Sequence, residues 1–279
     1  MIQNSYDESP TLYLISTPIG NLEDMTYRSV KILNDVSAVF SEDTRVTLNL
    51  LTHYGISKKL IALHEHNEDT AKEKVLDYLK NGESVALVTD RGTPIISDPG
   101  YKTVKYISDN GYNVVALPGA TAFVPALITS GIAPQPFLFY GFLDSKDSIR
   151  KKDLEVLSDE EKTMIFYEAP HRIMKTLNMI LDIFGDRDIS ISREITKKFE
   201  TIYRGKISNV INLVPEKGEF VIVVSGMKER KIDDTISVRD AVNNYISAGF
   251  DVMTSIKKVA KDRRLAKNVI YKEYHQEDK

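Results

Sequence analysis

Val88-Thr89-Asp90-Arg91-Gly92-Thr93-Pro94-Ile95-Ile96-Ser97-Asp98-Pro99-Gly100 decides how the chain is read. It continues the apolar, β-like run 84–89 and holds two glycines, two prolines and two aspartates in one loop. Proline fixes φ and removes an N–H donor, and glycine lets the backbone approach a ligand closely. Such restriction after a buried strand is costly unless the loop must keep one shape. In α/β sheets, small ligands sit at the carboxyl ends of strands, where this loop falls.

Two further segments repeat the design. Leu12-Tyr13-Leu14-Ile15-Ser16 runs into Thr17-Pro18-Ile19-Gly20-Asn21, and Asn113-Val114-Val115-Ala116-Leu117 runs into Pro118-Gly119-Ala120-Thr121-Ala122. Each is a β-run, a Pro/Gly turn and a helix-like stretch. Three such loops on one parallel sheet would converge on one crevice. The chain contains neither G-x-x-x-x-G-K-[ST] nor G-x-G-x-x-G, so a ligand gripped by its pyrophosphate, such as NAD or ATP, is not expected.

The strand-like runs fall at 12–16, 36–41, 59–63, 84–89 and 113–117. Helix-like runs fall at 26–35, 44–53, 68–81, 99–110 and 121–130. This alternation predicts a helix-covered, mostly parallel sheet. Gly131-Ile132-Ala133-Pro134-Gln135-Pro136 interrupts it as a linker. A second α/β unit follows, with strands at 137–141, 163–167, 189–192, 199–204 and 219–224, close enough together for antiparallel pairing. Lys228-Glu229-Arg230-Lys231 reads as a second linker, and 237–275 as a helical appendage. The expected domains are 1–130, 137–226 and 237–279.

At 279 residues the chain is long enough for about two domains. Without cysteine it can form no disulfide, thiolate zinc site or cysteine nucleophile. A net charge of -3 gives no global attraction to nucleic acid, so any such partner needs a local basic patch. The longest apolar runs are far too short to span a bilayer. The first ten residues carry Asp7 and Glu8 in place of a basic start and apolar stretch, so a cytoplasmic location is expected.

Several blocks, in order along the chain, carry a family resemblance. Thr17-Pro18-Ile19-Gly20-Asn21-Leu22, Glu42-Asp43-Thr44-Arg45, Leu63-His64-Glu65-His66-Asn67-Glu68 and the Asp90–Gly100 loop are followed by Phe166-Tyr167-Glu168-Ala169-Pro170-His171-Arg172 and Ser192-Arg193-Glu194-Ile195-Thr196-Lys197. In these blocks the chain resembles the ribosomal RNA small subunit methyltransferase I family of the tetrapyrrole methylase superfamily. The resemblance implies two α/β domains of tetrapyrrole-methylase type with the cofactor in the interdomain cleft, plus a small C-terminal helical appendage. It also implies S-adenosyl-L-methionine as cofactor, 2′-O-methylation of a cytidine ribose in 16S rRNA of the small ribosomal subunit, and a homodimer. Two positions depart from the family pattern: Arg91 stands where alanine is common, and Asp144 where proline is common. Arg91 would set a cation beside a cationic cofactor unless it points away or pairs with Asp90 or Asp98.

By the same resemblance Asp90, Gly92, Thr93, Pro94, Thr121 and Ala122 line the cofactor site, with Pro18 and Gly20 facing it and Tyr167 closing it. Thr121 also reads as a helix N-cap. Transfer to a ribose hydroxyl gains from alignment and from a group that takes the proton. Glu42, Glu168, Glu194, Glu200 and His171 are candidates, and the mixed-charge run Arg193–Glu200 adds Lys197 to the catalytic set of Glu168, Glu194 and Glu200. RNA phosphates would meet Arg45, His171, Arg172, Arg193 and Lys197, together with Lys257, Lys258, Lys261 and Arg264 of the tail. There, an amphipathic helix (254–264), a turn (265–268) and a second helix (269–274) form a basic helix-turn-helix-like pattern. Arg172 could instead pair with Glu168. His64 and His66 would share one face of a strand, but no third ligand is near, so no metal is expected. A tetrapyrrole C-methyltransferase and a non-catalytic RNA-binding module are the rival readings; the blocks and the basic tail favour RNA, and the intact cofactor loops favour catalysis.

Overall fold

The computed structural model describes residues 2–5, 7–227, 236–247, 249–263 and 265–276. Residues 1–226 form one compact unit and 227–279 a second.

The first sheet is wholly parallel. Its strands β1 (Thr11–Ile15), β2 (Ala38–Ser41), β3 (Lys59–Ala62), β4 (Val85–Val88) and β5 (Asn113–Leu117) lie in the order β3-β2-β4-β1-β5. Every residue of β2 and of β4 is buried. Such strands are apolar on both faces because helices cover both. On one face Leu12, Phe40 and Leu87 pack with Val75 and Leu79 of α3 (Glu68–Lys80) and Ile107 of α4 (Tyr101–Asp109). On the other, Ile15, Val39 and Val88 pack with Leu33 of α1 (Tyr27–Asp35) and Leu51 of α2 (Thr44–His53). Caps set where these helices begin: Thr26 accepts from the Ser29 N–H at 3.1 Å, and Asp43 from the Arg45 N–H at 2.8 Å.

The second sheet is mixed. Its strands β6 (Phe137–Phe142), β7 (Thr163–Glu168), β8 (Asp188–Arg193), β9 (Thr201–Lys206) and β10 (Phe220–Val224) lie in the order β6-β7-β10-β8-β9. Only β6 and β7 run parallel; the other three pairings are antiparallel. Strand β9 begins at Thr201, two residues later than the sequence suggests, because Glu200 is tied back to Lys197 in a turn. Two helices absent from the expected elements cover one face: α6 (Asp147–Leu157) and α7 (Ile173–Phe184). Ile173, Leu177 and Ile180 of α7 pack there on Phe166, Ile191 and Ile222.

Helix α5 (Phe123–Thr129) joins the two halves. It follows the last strand of the first sheet, yet its Ala126 and Leu127 pack on Ile165, Val221 and Val223 of the second. The loop leading into α5 is therefore fixed to both sheets. A short helix, α8 (Ile207–Val210), completes this unit.

The second unit holds α9 (Val238–Ser247), α10 (Val252–Asp262) and α11 (Lys267–Gln276) around Val238, Val242, Ile256, Val259 and Ile270. Helix α10 starts two residues earlier than its expected range, and α11 also starts two earlier and ends two later. The expected linker at 228–231 lies outside the described residues. Among the described residues no helix is long and apolar enough to cross a membrane.

Candidate functional site

The loops after β1, β4 and β5 do converge. Thr17 and Gly92 exchange backbone hydrogen bonds, N–H to O, of 2.9 and 3.0 Å. The Thr93 hydroxyl donates to the Ala120 carbonyl at 3.1 Å and lies 3.1 Å from the Ser16 hydroxyl. Three loops are thus tied into one rim. Gly92 has φ +85°, and a Cβ there would meet Ile19 at 3.3 Å, so glycine suits this crossing.

Between this rim and the second sheet lies a cavity of about 340 Å³. Ile19, Ile96, Ala122, Phe142 and Val221 supply apolar wall, and Thr93, Thr121, Asp98 and Tyr167 supply polar groups. A mainly apolar cleft with a few convergent polar groups is the usual form of a small-molecule site. Five non-glycine residues among those described have left-handed φ, and four of them lie in two loops at this cleft: Ile95 and Ser97 on one side, Glu194 and Thr196 on the other. For a β-branched residue such as Ile95 (φ +76°) that conformation is strained, and strain of this kind gathers at ligand sites.

Of the residues expected to hold the cofactor, Gly92, Thr93, Thr121, Ala122 and Tyr167 line this cavity, and Pro18, Gly20, Asp90 and Pro94 do not. Pro18 and Pro94 are buried beneath the loops. Asp90 accepts from the Asp43 N–H at 3.1 Å, joining the β4 loop to the start of α2. Gly20 backs onto Lys197 across the cleft, where a Cβ would come within 2.5 Å of that side chain. Thr121 is not an N-cap: α5 starts after Ala122, and no side chain caps it.

Asp98 is the titratable group with no ion-pair partner among the lining residues that sequence reasoning left out of the site. Burial pushes its carboxyl up to about 6, the nearby Thr89 hydroxyl offsets part of that, and the Glu42 and Asp90 carboxylates raise it further. Glu42 is itself raised by burial and by Asp90. The other charged lining groups all have partners of opposite sign. Arg91 pairs with Glu219, Glu219 with Lys197 at 2.7 Å, and Glu168 with Arg172 at 2.6 Å. Among the described residues, no ion pair holds Asp98. Tyr167, opposite, is raised by burial, with Thr121 and the Phe123 backbone beside it offsetting this in part.

Arg91 therefore pairs with neither Asp90 nor Asp98. It reaches Glu219 at the start of β10, on the far side of the cleft, so its charge is compensated there. Lys197 extends the chain of charges, bridging Glu219 at 2.7 Å and Glu194 at 3.0 Å. Burial works against the Glu194 charge, yet the Glu219 N–H and the Lys197 ammonium hold this carboxyl below its ordinary range. A carboxylate so stabilised is a weak base. Glu168 does not present a free carboxylate either. Its side chain is wholly buried and accepts from Arg172 Nε at 2.8 Å, from the Ala169 N–H at 2.7 Å and from the Thr176 hydroxyl. Arg172 is correspondingly committed to Glu168, the pairing that competed with phosphate contact.

Glu200 lines a second cavity, of about 520 Å³, which shares Ile19, Thr121 and Ile195 with the first. Of the cations expected to meet RNA, Arg45 is exposed but paired with Asp43, and Arg193 donates to the Lys217 carbonyl. His171 and Lys257 are exposed. Lys258 places its ammonium over the rings of Tyr245 and Phe250. Arg264 and the side chain of Lys261 lie outside the described residues. His64 and His66 fall beyond the end of β3, in a turn where the His64 N–H donates to Asn67 at 2.8 Å, so they do not share a strand face.

The model of the tetrapyrrole (corrin/porphyrin) methylases matches residues 11–211. A Bacillus subtilis protein named ribosomal RNA small subunit methyltransferase I is 46% identical over 98% of this chain and 96% of its own length. One of the same name from Streptococcus pyogenes is 41% identical over 98% and 99%. Among solved structures, a diphthine synthase superposes with a TM-score of 0.59 at 12% identity, covering 77% of this chain and 90% of that one. A uroporphyrin-III C-methyltransferase from Thermus thermophilus gives 0.55 at 15% identity, covering 77% and 94%. Those two likenesses are of fold. With a family model over most of its length and relatives this close along all of it, the chain belongs to the ribosomal RNA small subunit methyltransferase I family of the tetrapyrrole methylases.

Proposed function

We propose that the protein methylates the 2′-hydroxyl of a cytidine in 16S rRNA of the small ribosomal subunit, using S-adenosyl-L-methionine. The observation that carries this is the unpaired Asp98 carboxyl in a mainly apolar cleft rimmed by rigid loops. A half-buried carboxyl among other carboxylates favours a cationic ligand, and the absence of any phosphate-gripping loop agrees with a ligand that has no phosphate. The names of the relatives supply the ribosomal RNA.

S-adenosyl-L-methionine, when bound, supplies an electrophilic methyl group on a sulfonium centre. Thr93, Thr121 and the Gly92 and Ala122 backbone would hold it, with Tyr167 closing the cleft and Asp98 offsetting its positive charge. The apolar walls exclude water, which strengthens that attraction and suppresses hydrolysis. Of the three carboxylates and one lysine of the catalytic set, Glu200 is the one that lines the adjoining cavity without a cationic partner. We assign it the hydroxyl proton, while Lys197 and Glu194 brace its loop and Glu168 shapes the 168–172 turn. Arg45, His171, Arg193, Lys257, Lys258 and the tail would meet RNA phosphates. A cytoplasmic homodimer is part of the same reading.

The test is incubation with methyl-labelled S-adenosyl-L-methionine and small subunits that lack this modification, followed by digestion to nucleosides. Label in 2′-O-methylcytidine is the expected result. Label in another nucleoside would replace the acceptor, and no label with any RNA would overturn the reading.

A further inference from the structure

Beyond the ribose hydroxyl assigned to Glu200, the second cavity has no assigned occupant, and its lining is chemically distinctive. Asp24 and Glu200 are its only charged residues, so no cation lines it. Val124 and Pro125 of α5, with Ile195 and Ile202 opposite, make apolar walls. Ser192, at the end of β8, is 1% exposed, and its hydroxyl has no hydrogen-bond partner in the protein. A buried hydroxyl left in that state is costly unless a ligand satisfies it. Asp24 is tied to the rest of the wall through the Thr196 hydroxyl, and Glu200 through the Thr196 N–H, both in the loop with left-handed φ. A guanidinium stands at the rim: Arg204 donates to the carbonyl of Thr129, a lining residue, at 2.8 Å.

This composition suits an uncharged planar group with its phosphates kept outside. We propose that the second cavity receives the target nucleotide of the RNA, unstacked from its neighbours, with Asp24 accepting from an exocyclic amine of the base and Ser192 donating to an adjacent ring acceptor. The proposal rests on the function stated above and adds to it where the base is read. A carboxylate accepts from the 4-amino group of cytosine, whereas uracil presents a carbonyl there, so two acceptors would face each other. The 6-amino group of adenine presents the same donor, so Asp24 separates C and A together from U. Ile19, Thr121 and Ile195, shared by both cavities, form the boundary across which the methyl group passes. Phosphates flanking the extruded nucleotide would meet Arg204. Enzymes that act on a nucleotide within a structured nucleic acid commonly take it out of the stack in this way.

The test uses the full-length wild type, Asp24→Asn, Ser192→Ala and Val124→Trp. RNA fragments of the small subunit carry C, U or A at the methylated position. Each protein is measured for S-adenosyl-L-methionine affinity by calorimetry, for RNA affinity, and for methyl transfer. Wild type should prefer C over U by at least about tenfold, and Asp24→Asn should narrow that ratio about tenfold, because an amide can donate to the uracil carbonyl. Val124→Trp, which narrows the cavity from its α5 wall, should lose RNA affinity and transfer. All three variants should keep cofactor affinity within about twofold. An unchanged C/U ratio in Asp24→Asn, with Val124→Trp still active, would overturn the proposal. Loss of cofactor affinity in all three would overturn it too, by assigning the cavity to the cofactor. If the wild type methylates none of the RNAs, the function itself fails, a result distinct from an active wild type with indifferent variants.

Discussion

Asp98 and Glu168 show how two carboxyls near one cleft take opposite parts. Glu168 is surrounded by Arg172, Thr176 and the Ala169 N–H, with Arg150 3.9 Å away. Glu168→Ala would leave two arginines without their shared carboxylate, and removing one partner of a buried pair costs about 3–5 kcal/mol. Chemical denaturation should show a loss of that size. Asp98 has no such partner and is raised to about 6 from 3.8 by burial first and then by Glu42 and Asp90. A carboxyl whose pKa rises on folding destabilises the fold once ionised. That penalty is absent below the unfolded value and grows until the pH passes the folded value. In the ligand-free protein Asp98→Asn should therefore stabilise more at about pH 8 than at about pH 4.5, read from denaturant midpoints. An equal gain at both would mean that ionisation of Asp98 carries no penalty. Residue identity announced the loop but not this role. Arg91, the cation of the loop that carries Asp98, crosses the cleft to Glu219, 128 positions away in sequence, and no local pattern encodes such a partner.

Helix α5 is the element on which the site depends most. The β-runs and Pro/Gly turns were legible because φ restrictions and apolar runs are local properties, and the five strands of the first sheet lie within two residues of their expected ends. The packing of α5 was not legible. Its short apolar sequence, Phe-Val-Pro-Ala-Leu-Ile-Thr, suits either sheet equally. Leu127, 5% exposed, anchors it on Ile165, Val221 and Val223 of the second sheet. Leu127→Ala should cost about 2–5 kcal/mol by the usual cavity penalty. It should also weaken binding in the cleft, because Thr121 and Ala122 at the head of α5 line it. A calorimetric titration of the variant with unchanged affinity would show that the loop holds its shape without the helix. Similarly, β9 started later than expected because the turn closed by Lys197 and Glu200 absorbs the first two residues of an apparent strand.

At the scale of the compact unit 1–226, the site is a seam between two sheets. It is crossed by the ion-pair chain Arg91–Glu219–Lys197–Glu194 and by the contact of Gly20 with Lys197. The fold class was readable from the alternation of strands and helices, and the family from its ordered blocks. How the halves face each other was not, since every contact across the seam joins residues far apart in sequence. The central claim is that this seam takes a cationic methyl donor, with Asp98 as the counter-charge. The most direct measurement is calorimetric binding of S-adenosyl-L-methionine and of its demethylated, sulfide product to the wild type and to Asp98→Asn at about pH 8, above the raised carboxyl. Asp98→Asn should lower affinity for the sulfonium form about tenfold and affinity for the product much less, one such loss being about 1.4 kcal/mol. Equal affinities in the two proteins for both ligands would contradict the claim and leave the cleft without its charge-reading residue.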